Sequence, residues 1–412
     1  MDDNVIYTAS FIIIAAISVV FVRNKPVPQH DSILTGSKLY AELMNTNSEA
    51  RFRTDARMDK PTFLKLLKVL MLEGGLADGL HVLAGEKLFF LLFTLTGFST
   101  RQTAARWQHS NSTVDVCVHE VVHSLLSLSD RFFVPPDTDD NDPFTDRRFQ
   151  PFKFAAGALD GSHMPAVVSS NDCSTYRNRK QQITQNVLAC CNFDMTFNFC
   201  LCGWEGSAHD GQVLSDAVEN HNFRAPIGRY FLADAGYALS RLCLTPYRGV
   251  RYHLKEWRKG NKRPQNKEEL YNLRHSSLRN VVERIFGVAK KRFPILVHMN
   301  SFDVTFQSDL IMCTFMIHNF IRKEQGFEDE WYVWTDDDGE DGPIAVAPVE
   351  VAGNPAHVAA LNAWRDGIAS ELWADYQLVL AQRKMQCCKV VTVQTPIVYS
   401  DTYSDVVEAS AS

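Results

Sequence analysis

Apolar residues recur at three- and four-residue spacing between Leu39 and Leu128, and this pattern predicts a helical domain over residues 39–133. Asp59 is placed to cap a helix that ends at Gly74-Gly75. Three more helices are predicted at Lys87–Leu95, Thr100–Trp107 and Ser112–Leu128, with Ser112 as the cap of the last. Two short helices separated by a polar break match a helix-turn-helix, although helices packed in an ordinary helical domain give the same pattern.

The pattern changes to strands in the middle of the chain. Residues 134–150 are rich in proline and aspartate and predict a linker. Beyond it, the order of elements predicts an α/β domain with a mixed sheet over residues 151–325. Its strands are predicted at Phe154–Leu159, Ile183–Asn192, Met195–Trp204 and Tyr230–Ala233, and its helices at Asp210–Asn220 and Ser277–Lys291.

The two ends of the chain differ from this middle part. Residues 326–355 predict an acidic linker, and residues 356–412 a C-terminal helix, His357–Gln382, with a tail. The N-terminal segment, residues 1–38, contains the uncharged run 5–22, whose 18 residues are at the lower limit for a membrane-spanning helix. That run is either a membrane anchor, which would leave the following residues in the cytosol, or a dispensable extension.

Composition narrows the class of protein. The 412-residue chain is 45% hydrophobic and 22% charged, which excludes a wholly disordered or fibrous protein. Its ten cysteines form no CxxC pair, so a reducing compartment is a simpler interpretation than a disulfide scaffold. His209 and His221 could join a cysteine in a zinc site, but their spacing matches no recognised zinc motif.

Positive charge is concentrated in one segment of a chain whose formal net charge is −6. Residues 248–274 predict a basic insertion in the α/β domain, because they hold nine Lys or Arg against three Glu. Such asymmetry indicates a surface that binds a polyanion, and the alternative is a solvated helical insertion. The bases that cluster most closely are Arg258, Lys259, Lys262 and Arg263.

Three acidic residues stand where the predicted fold would present them. Asp160 and Asp234 each follow an apolar strand, and we expect each side chain to leave the sheet at a turn. Glu283 is predicted on a partly exposed side of the late helix together with Arg279 and Lys290, which are candidate DNA contacts. Three carboxylates can serve two Mg²⁺ ions that cleave a phosphodiester. Taken singly, each aspartate could be an ordinary turn residue, and Glu283 could simply pair with Arg279.

Five sequence blocks, in this order, resemble the PIF/Harbinger transposase superfamily and its Harbinger transposase-derived nucleases. They are ALDGSHMP, YRNRKQQITQNVLACC, GSAHDGQVL, FLADAGYAL and LRNVVERIFGVAKKRFPIL. The resemblance implies an RNase H-like fold, DNA as the substrate, Mg²⁺ or Mn²⁺ as cofactor and a nuclear location. It also implies that Asp160, Asp234 and Glu283 are the DDE triad, with the long last spacing of that family.

The same resemblance extends to other residues. His209-Asp210 match a family block, where Asp210 either caps the following helix or assists at the metal site. Arg177, Arg179 and Lys180, in a polar loop between strands, would suit phosphate contacts or could simply be solvated. The family implies a separate Myb/SANT-like DNA-binding partner, and a homo-oligomer is also conceivable. The alternative function is a host-recruited DNA-binding or scaffold protein whose nuclease is idle.

Overall fold

The computed structural model describes residues 30–136, 144–251, 263–326 and 355–391. The predicted membrane-length run at 5–22, residues 252–262 of the basic insertion and residues 327–354 of the acidic linker therefore lie outside the described residues. In the part that is described, no helix is long and apolar enough to cross a membrane. The helices are α1 Gly36–Asn45, α2 Glu49–Ala56, α3 Lys60–Leu72, α4 Ala84–Leu95, α5 Thr100–Trp107, α6 Asn111–Leu126, α7 Ser129–Phe132, α8 Asp210–Asn220, α9 Lys267–Arg292, α10 Val304–Gln325 and α11 Pro355–Val391. The strands are β1 Ala155–Pro165, β2 Thr184–Cys191, β3 Phe197–Glu205, β4 Tyr230–Leu232 and β5 Cys243–Leu244.

The N-terminal helices begin and end where local chemistry requires. Asp59 caps α3 by accepting a hydrogen bond from the backbone N–H of Thr62, as predicted. Ser99 forms a capping box with Gln102 at the start of α5. The cap of α6 is Ser110, which accepts from the Thr113 N–H, so the prediction of Ser112 is wrong. Serine at position 110 caps a helix as readily as serine at position 112, and the cap therefore lies two residues earlier than predicted.

Aromatic packing around α4 forms the centre of the helical region. All twelve residues of α4 are buried, as the apolar run predicts. Phe89 lies 4.6 Å from Phe63 and 5.5 Å from Trp107, measured between ring centroids. The one carboxylate in this core, Glu86, is paired with His109 at 2.6 Å, because a buried acid needs a hydrogen-bonding partner.

The sheet is mixed and has the strand order β3-β2-β1-β4-β5. β2 and β3 are antiparallel, whereas β4 runs parallel to both β1 and β5. All eight residues of β2 are buried, which is typical of a central strand. The predicted α/β class with a mixed sheet is therefore confirmed, and the two-residue strand β5 is too short to leave a periodic signal in the sequence.

Two predicted boundaries differ from the structure in ways that affect the site. β1 does not end at Leu159 but continues to Pro165, so the prediction that Asp160 leaves the sheet at a turn is wrong. What changes at Asp160 is burial, because the five preceding residues of the strand are buried and Asp160 is half-buried. α9 begins at Lys267 rather than Ser277, so the end of the predicted basic insertion is helix.

Contacts divide the described chain into two compact units. The first unit takes its residues from 1–135, 160–222 and 282–340. Within it, α10 packs on β3, where Phe315 stacks on Phe197 at 4.1 Å between ring centroids. The buried amide of Asn319 accepts from the Phe197 N–H and donates to the carbonyl oxygens of Phe197 and Phe132. These bonds satisfy backbone groups that would otherwise be buried without partners.

The second unit takes its residues from 136–159, 223–281 and 341–412. The N-terminal half of α9 packs beside β5, where the buried ring of His275 donates from Nε2 to the Leu244 carbonyl at 2.9 Å. Burial lowers the pKa of His275 to about 3, so the ring is neutral at physiological pH. Tyr247 donates to Asp366 of α11 at 2.5 Å, and Arg365 lies 4.1 Å over its ring.

Candidate active site

The residue after Asp160 approaches a carboxylate that belongs to the same unit. This residue, Gly161, is so close to Asp210 that a Cβ built on the glycine would stand 2.5 Å from Asp210 Oδ1. The same Cβ would stand 3.3 Å from Asn186 Oδ1. The absence of a side chain at position 161 therefore allows the backbone next to Asp160 to approach Asp210 closely.

Asp210 does not cap α8, so the capping alternative is wrong. The N-cap residue is His209, and its side chain makes no capping hydrogen bond. Asp210 Oδ1 instead accepts from Asn186 Nδ2 at 2.8 Å, while that same amide donates to the Ala208 carbonyl. Both bonds use the amide nitrogen of Asn186, and its buried Oδ1 meets no hydrogen-bond donor among the described residues. Asn186 carries no motif of its own in the sequence and is not among the predicted site residues.

His209 is oriented by one of the predicted phosphate-contacting residues. Arg179 Nη2 lies 2.7 Å from His209 Nδ1. A guanidinium can only donate, so Nδ1 must accept and the neutral ring must carry its proton on Nε2. The predicted auxiliary residue is therefore held as a hydrogen-bond donor at the start of α8.

Asp234 lies in the second unit, two residues after the end of β4. Its Oδ1 accepts a short hydrogen bond from the Gly236 N–H, and its own carbonyl accepts from Tyr237 N at 3.3 Å. The guanidinium of Arg248 donates to the Ala235 carbonyl at 2.9 Å and 3.1 Å. Arg248, counted in the predicted basic insertion, thus holds the loop that carries Asp234.

Glu283 is half-buried on α9, between the buried residues Val282 and Ile285. Lys290, two turns further along, donates from Nζ to the buried hydroxyl of Ser162 on β1 at 3.0 Å. Arg279 is only 7% exposed, so the prediction that it lines the partly exposed side of the helix is wrong. The pattern of apolar residues could not show this, because a buried arginine is not distinguished in the sequence from an exposed one.

The remaining predicted DNA-binding residues are in loops. Arg177 Nη1 donates to the Gln181 carbonyl at 3.2 Å, which folds the loop between β1 and β2 on itself. Lys180 in the same loop is exposed. Arg263 is exposed at the start of the segment that leads into α9. Three further bases, Arg258, Lys259 and Lys262, lie outside the described residues.

The donor chemistry of these residues fits a hard divalent cation. The carboxylates of Asp160, Asp234 and Glu283 are all half-buried and thus accessible to a hydrated ion. Among the described residues, no three His, Cys, Asp or Glu are grouped to hold a metal by themselves. Mg²⁺ does not require such a group, since it keeps several waters and is usually bound by one or two carboxylates plus substrate phosphates.

The two histidines of the zinc site considered from the sequence contact other residues instead. His209 contacts Arg179, and His221 lies 3.5 Å from Asp216. In the part of the chain that the structure covers, neither belongs to a group of three metal-ligating side chains.

Residues 159–319, which contain Asp160, Asp234 and Glu283, match the family model described as DDE superfamily endonuclease. The chain carries a DDE superfamily endonuclease domain. Residues 31–127, in the helical region, match a second model, described as a domain of unknown function, DUF8040. No solved structure matches the chain significantly.

Two relatives of the DDE endonuclease domain carry the name "Putative nuclease HARBI1". The human protein is 24% identical over 271 residues, which cover 64% of this chain and 71% of the relative. The protein from Bos taurus is also 24% identical over 271 residues. The resemblance to Harbinger transposase-derived nucleases is confirmed, as is an RNase H-like α/β fold preceded by a helical region.

Proposed function

We propose that this chain is a divalent-metal-dependent DNA endonuclease in which Asp160, Asp234 and Glu283 act as a DDE triad. The register of β1 and β4 carries the proposal. These strands are parallel, and Ala158 is paired with Leu232. Asp160 and Asp234 each follow that pair by two residues along their own chain, which is the register expected of two acids that share a metal site.

Mg²⁺ or Mn²⁺ would be held by the triad carboxylates together with water and phosphate oxygens of the DNA. Bound there, the ions would supply activation of water and stabilisation of the leaving oxygen in phosphodiester hydrolysis. Asp210 would add negative charge close to the backbone of Gly161, in a position that Asn186 fixes. His209 would donate from Nε2 to a phosphate oxygen, because Arg179 occupies its other ring nitrogen.

DNA would be bound through basic side chains that contact phosphates, whatever the base sequence. Lys290 would act indirectly, by fixing Ser162 two residues from Asp160. The buried Arg279 does not enter this set. The set comprises Arg177, Arg179, Lys180, Arg258, Lys259, Lys262 and Arg263.

The cellular setting follows from a DNA substrate. We propose a nuclear location, with a Myb/SANT-like protein supplying sequence choice and self-association as a further option. The alternative location is a membrane anchored through residues 5–22. A full-chain fluorescent fusion should be chiefly nuclear with or without those residues, and membrane association that resists carbonate and is lost on their deletion would contradict this.

Asp234→Asn tests the catalytic proposal. Asparagine keeps the oxygen that accepts from the Gly236 N–H, so the loop should persist while the negative charge is lost. We expect Mg²⁺- or Mn²⁺-dependent DNA cleavage to fall to background and the urea unfolding midpoint to be unchanged. Asp130→Asn, at an exposed acid on α7, is the matched control and should keep full activity.

Two outcomes would contradict the proposal. Full cleavage by Asp234→Asn would remove this residue from the triad. A wild-type chain that binds duplex DNA but does not cleave it with either ion would favour the idle scaffold instead.

A further inference from the structure

Helix α6 contains the sequence His119-Glu120-Val121-Val122-His123. A His-Glu-x-x-His pattern on a helix places two imidazoles one turn apart on one face, the arrangement that zinc metallopeptidases use. Val121 and Val122 are buried, whereas His119 and His123 are exposed. The helix thus turns both imidazoles to solvent, within the region that matches the domain of unknown function.

The ring of His119 is fixed in the form that binds a metal through Nε2. Its Nδ1 lies 2.9 Å from the backbone carbonyl oxygen of Asp115, one turn earlier. A carbonyl can only accept, so Nδ1 carries the proton and the lone pair of the neutral ring is on Nε2. Phe306 of α10 stacks on the imidazole, with ring centroids 3.9 Å apart and planes 14° from parallel. Metal-binding histidines are characteristically oriented by such a second hydrogen bond.

His123 completes a pair at this position. Side chains four residues apart on a helix have Cβ atoms about 5–6 Å apart, close enough for both imidazoles to reach one ion. Both rings border an open depression of about 440 Å³ whose other lining residues are Asp115, Val116 and Glu120. The depression leaves room for the water molecules that would complete the coordination.

The peptidase activity that the pattern also implies is not supported by the surroundings. Glu120, which would be the general base, is held by Lys87 Nζ at 2.6 Å. A third protein ligand is also lacking, since no group of three ligating side chains is found among the described residues. The geometry therefore favours binding of an ion over hydrolysis.

We propose that His119 and His123 form a binding site for one divalent transition-metal ion, of the imidazole-preferring class that includes Ni²⁺, Cu²⁺ and Zn²⁺. This site is separate from the carboxylates of the DDE endonuclease domain. Its nitrogen ligands select different ions from those that oxygen ligands select.

Titration calorimetry of the untagged, reduced full chain with Ni²⁺ tests this site, because Ni²⁺ suits imidazole and does not oxidise thiols as Cu²⁺ does. His119→Asn and His123→Asn should each weaken one Ni²⁺ site by at least about 10–100-fold. His81→Asn, at an exposed histidine outside the helices, is the matched control and should leave that site unchanged.

A relocation variant tests the geometry itself. Asp115→His added to His123→Asn rebuilds a pair four residues apart with His119, and we expect it to restore the Ni²⁺ site. None of these variants should alter Mg²⁺-dependent DNA cleavage. A Ni²⁺ affinity that is insensitive to His119→Asn and His123→Asn, or equally sensitive to His81→Asn, would overturn the proposal.

Discussion

Gly161 provides a direct test of the arrangement next to Asp160. In Gly161→Ala, the added Cβ would stand 2.5 Å from Asp210 Oδ1 and 2.9 Å from Asp210 Cγ. Moving the carboxylate would break its hydrogen bond with Asn186 Nδ2, which is 2.8 Å long, and Asn186 is itself 1% exposed. The substitution must therefore displace the Asp210–Asn186 pair, and overpacking of this kind costs about 1–3 kcal/mol.

Urea denaturation of the full chain measures this cost. We expect Gly161→Ala to lower the free energy of unfolding by about 1–3 kcal/mol. Gly367→Ala is the matched control, since that glycine lies within α11 and an added Cβ there would have no atom within 4 Å. The control should be neutral or should stabilise the chain by about 0.4–1 kcal/mol.

A double-mutant cycle tests whether the added Cβ at position 161 clashes with the Asp210 carboxylate. Asp210→Ala removes the carboxylate, so Gly161→Ala should cost at least about 1 kcal/mol less in that background than in the wild type. If the two substitutions add within about 0.5 kcal/mol, the clash with Asp210 does not occur and the close approach is wrong.

Two further predictions concern pH and salt. Burial lowers the pKa of both His275 and His318 to about 3, from an ordinary value of about 6.5, so the unfolded chain binds more protons between these pH values. The contribution of the two neutral rings to the free energy of unfolding should be fully present above about pH 6.5. It should fall by up to about 1.4 kcal/mol per pH unit for each ring as the pH drops towards 3. Urea titrations at several pH values should show a shallower fall in His318→Gln and an unchanged fall in His81→Gln. In the second prediction, alanine at four bases of the insertion should weaken binding to unrelated DNA duplexes alike. It should also flatten the slope of log affinity against log salt concentration by up to about 4. An unchanged slope, or a loss confined to one DNA sequence, would show that the segment is merely solvated. Those four bases are Arg258, Lys259, Lys262 and Arg263.

Local pattern was sufficient for much of the fold. The α3 cap at Asp59, the wholly buried α4 and the bounds of α5 and α8 agree with the sequence predictions, because caps and apolar periodicity act over a few residues. The order of helices and strands in turn gave the mixed α/β class. The five sequence blocks gave the endonuclease family and the candidate triad.

Tertiary structure decided the points that depend on residues far apart in the chain. Nothing local distinguishes an Asp210 that caps α8 from one that accepts a hydrogen bond from Asn186, 24 residues earlier. The burial of Arg279, the use of Lys290 to hold Ser162 and the stacking of His119 on Phe306 likewise follow from packing between elements. A side chain of a given type has the same local preferences wherever it stands, and only the partners that folding brings to it fix its role.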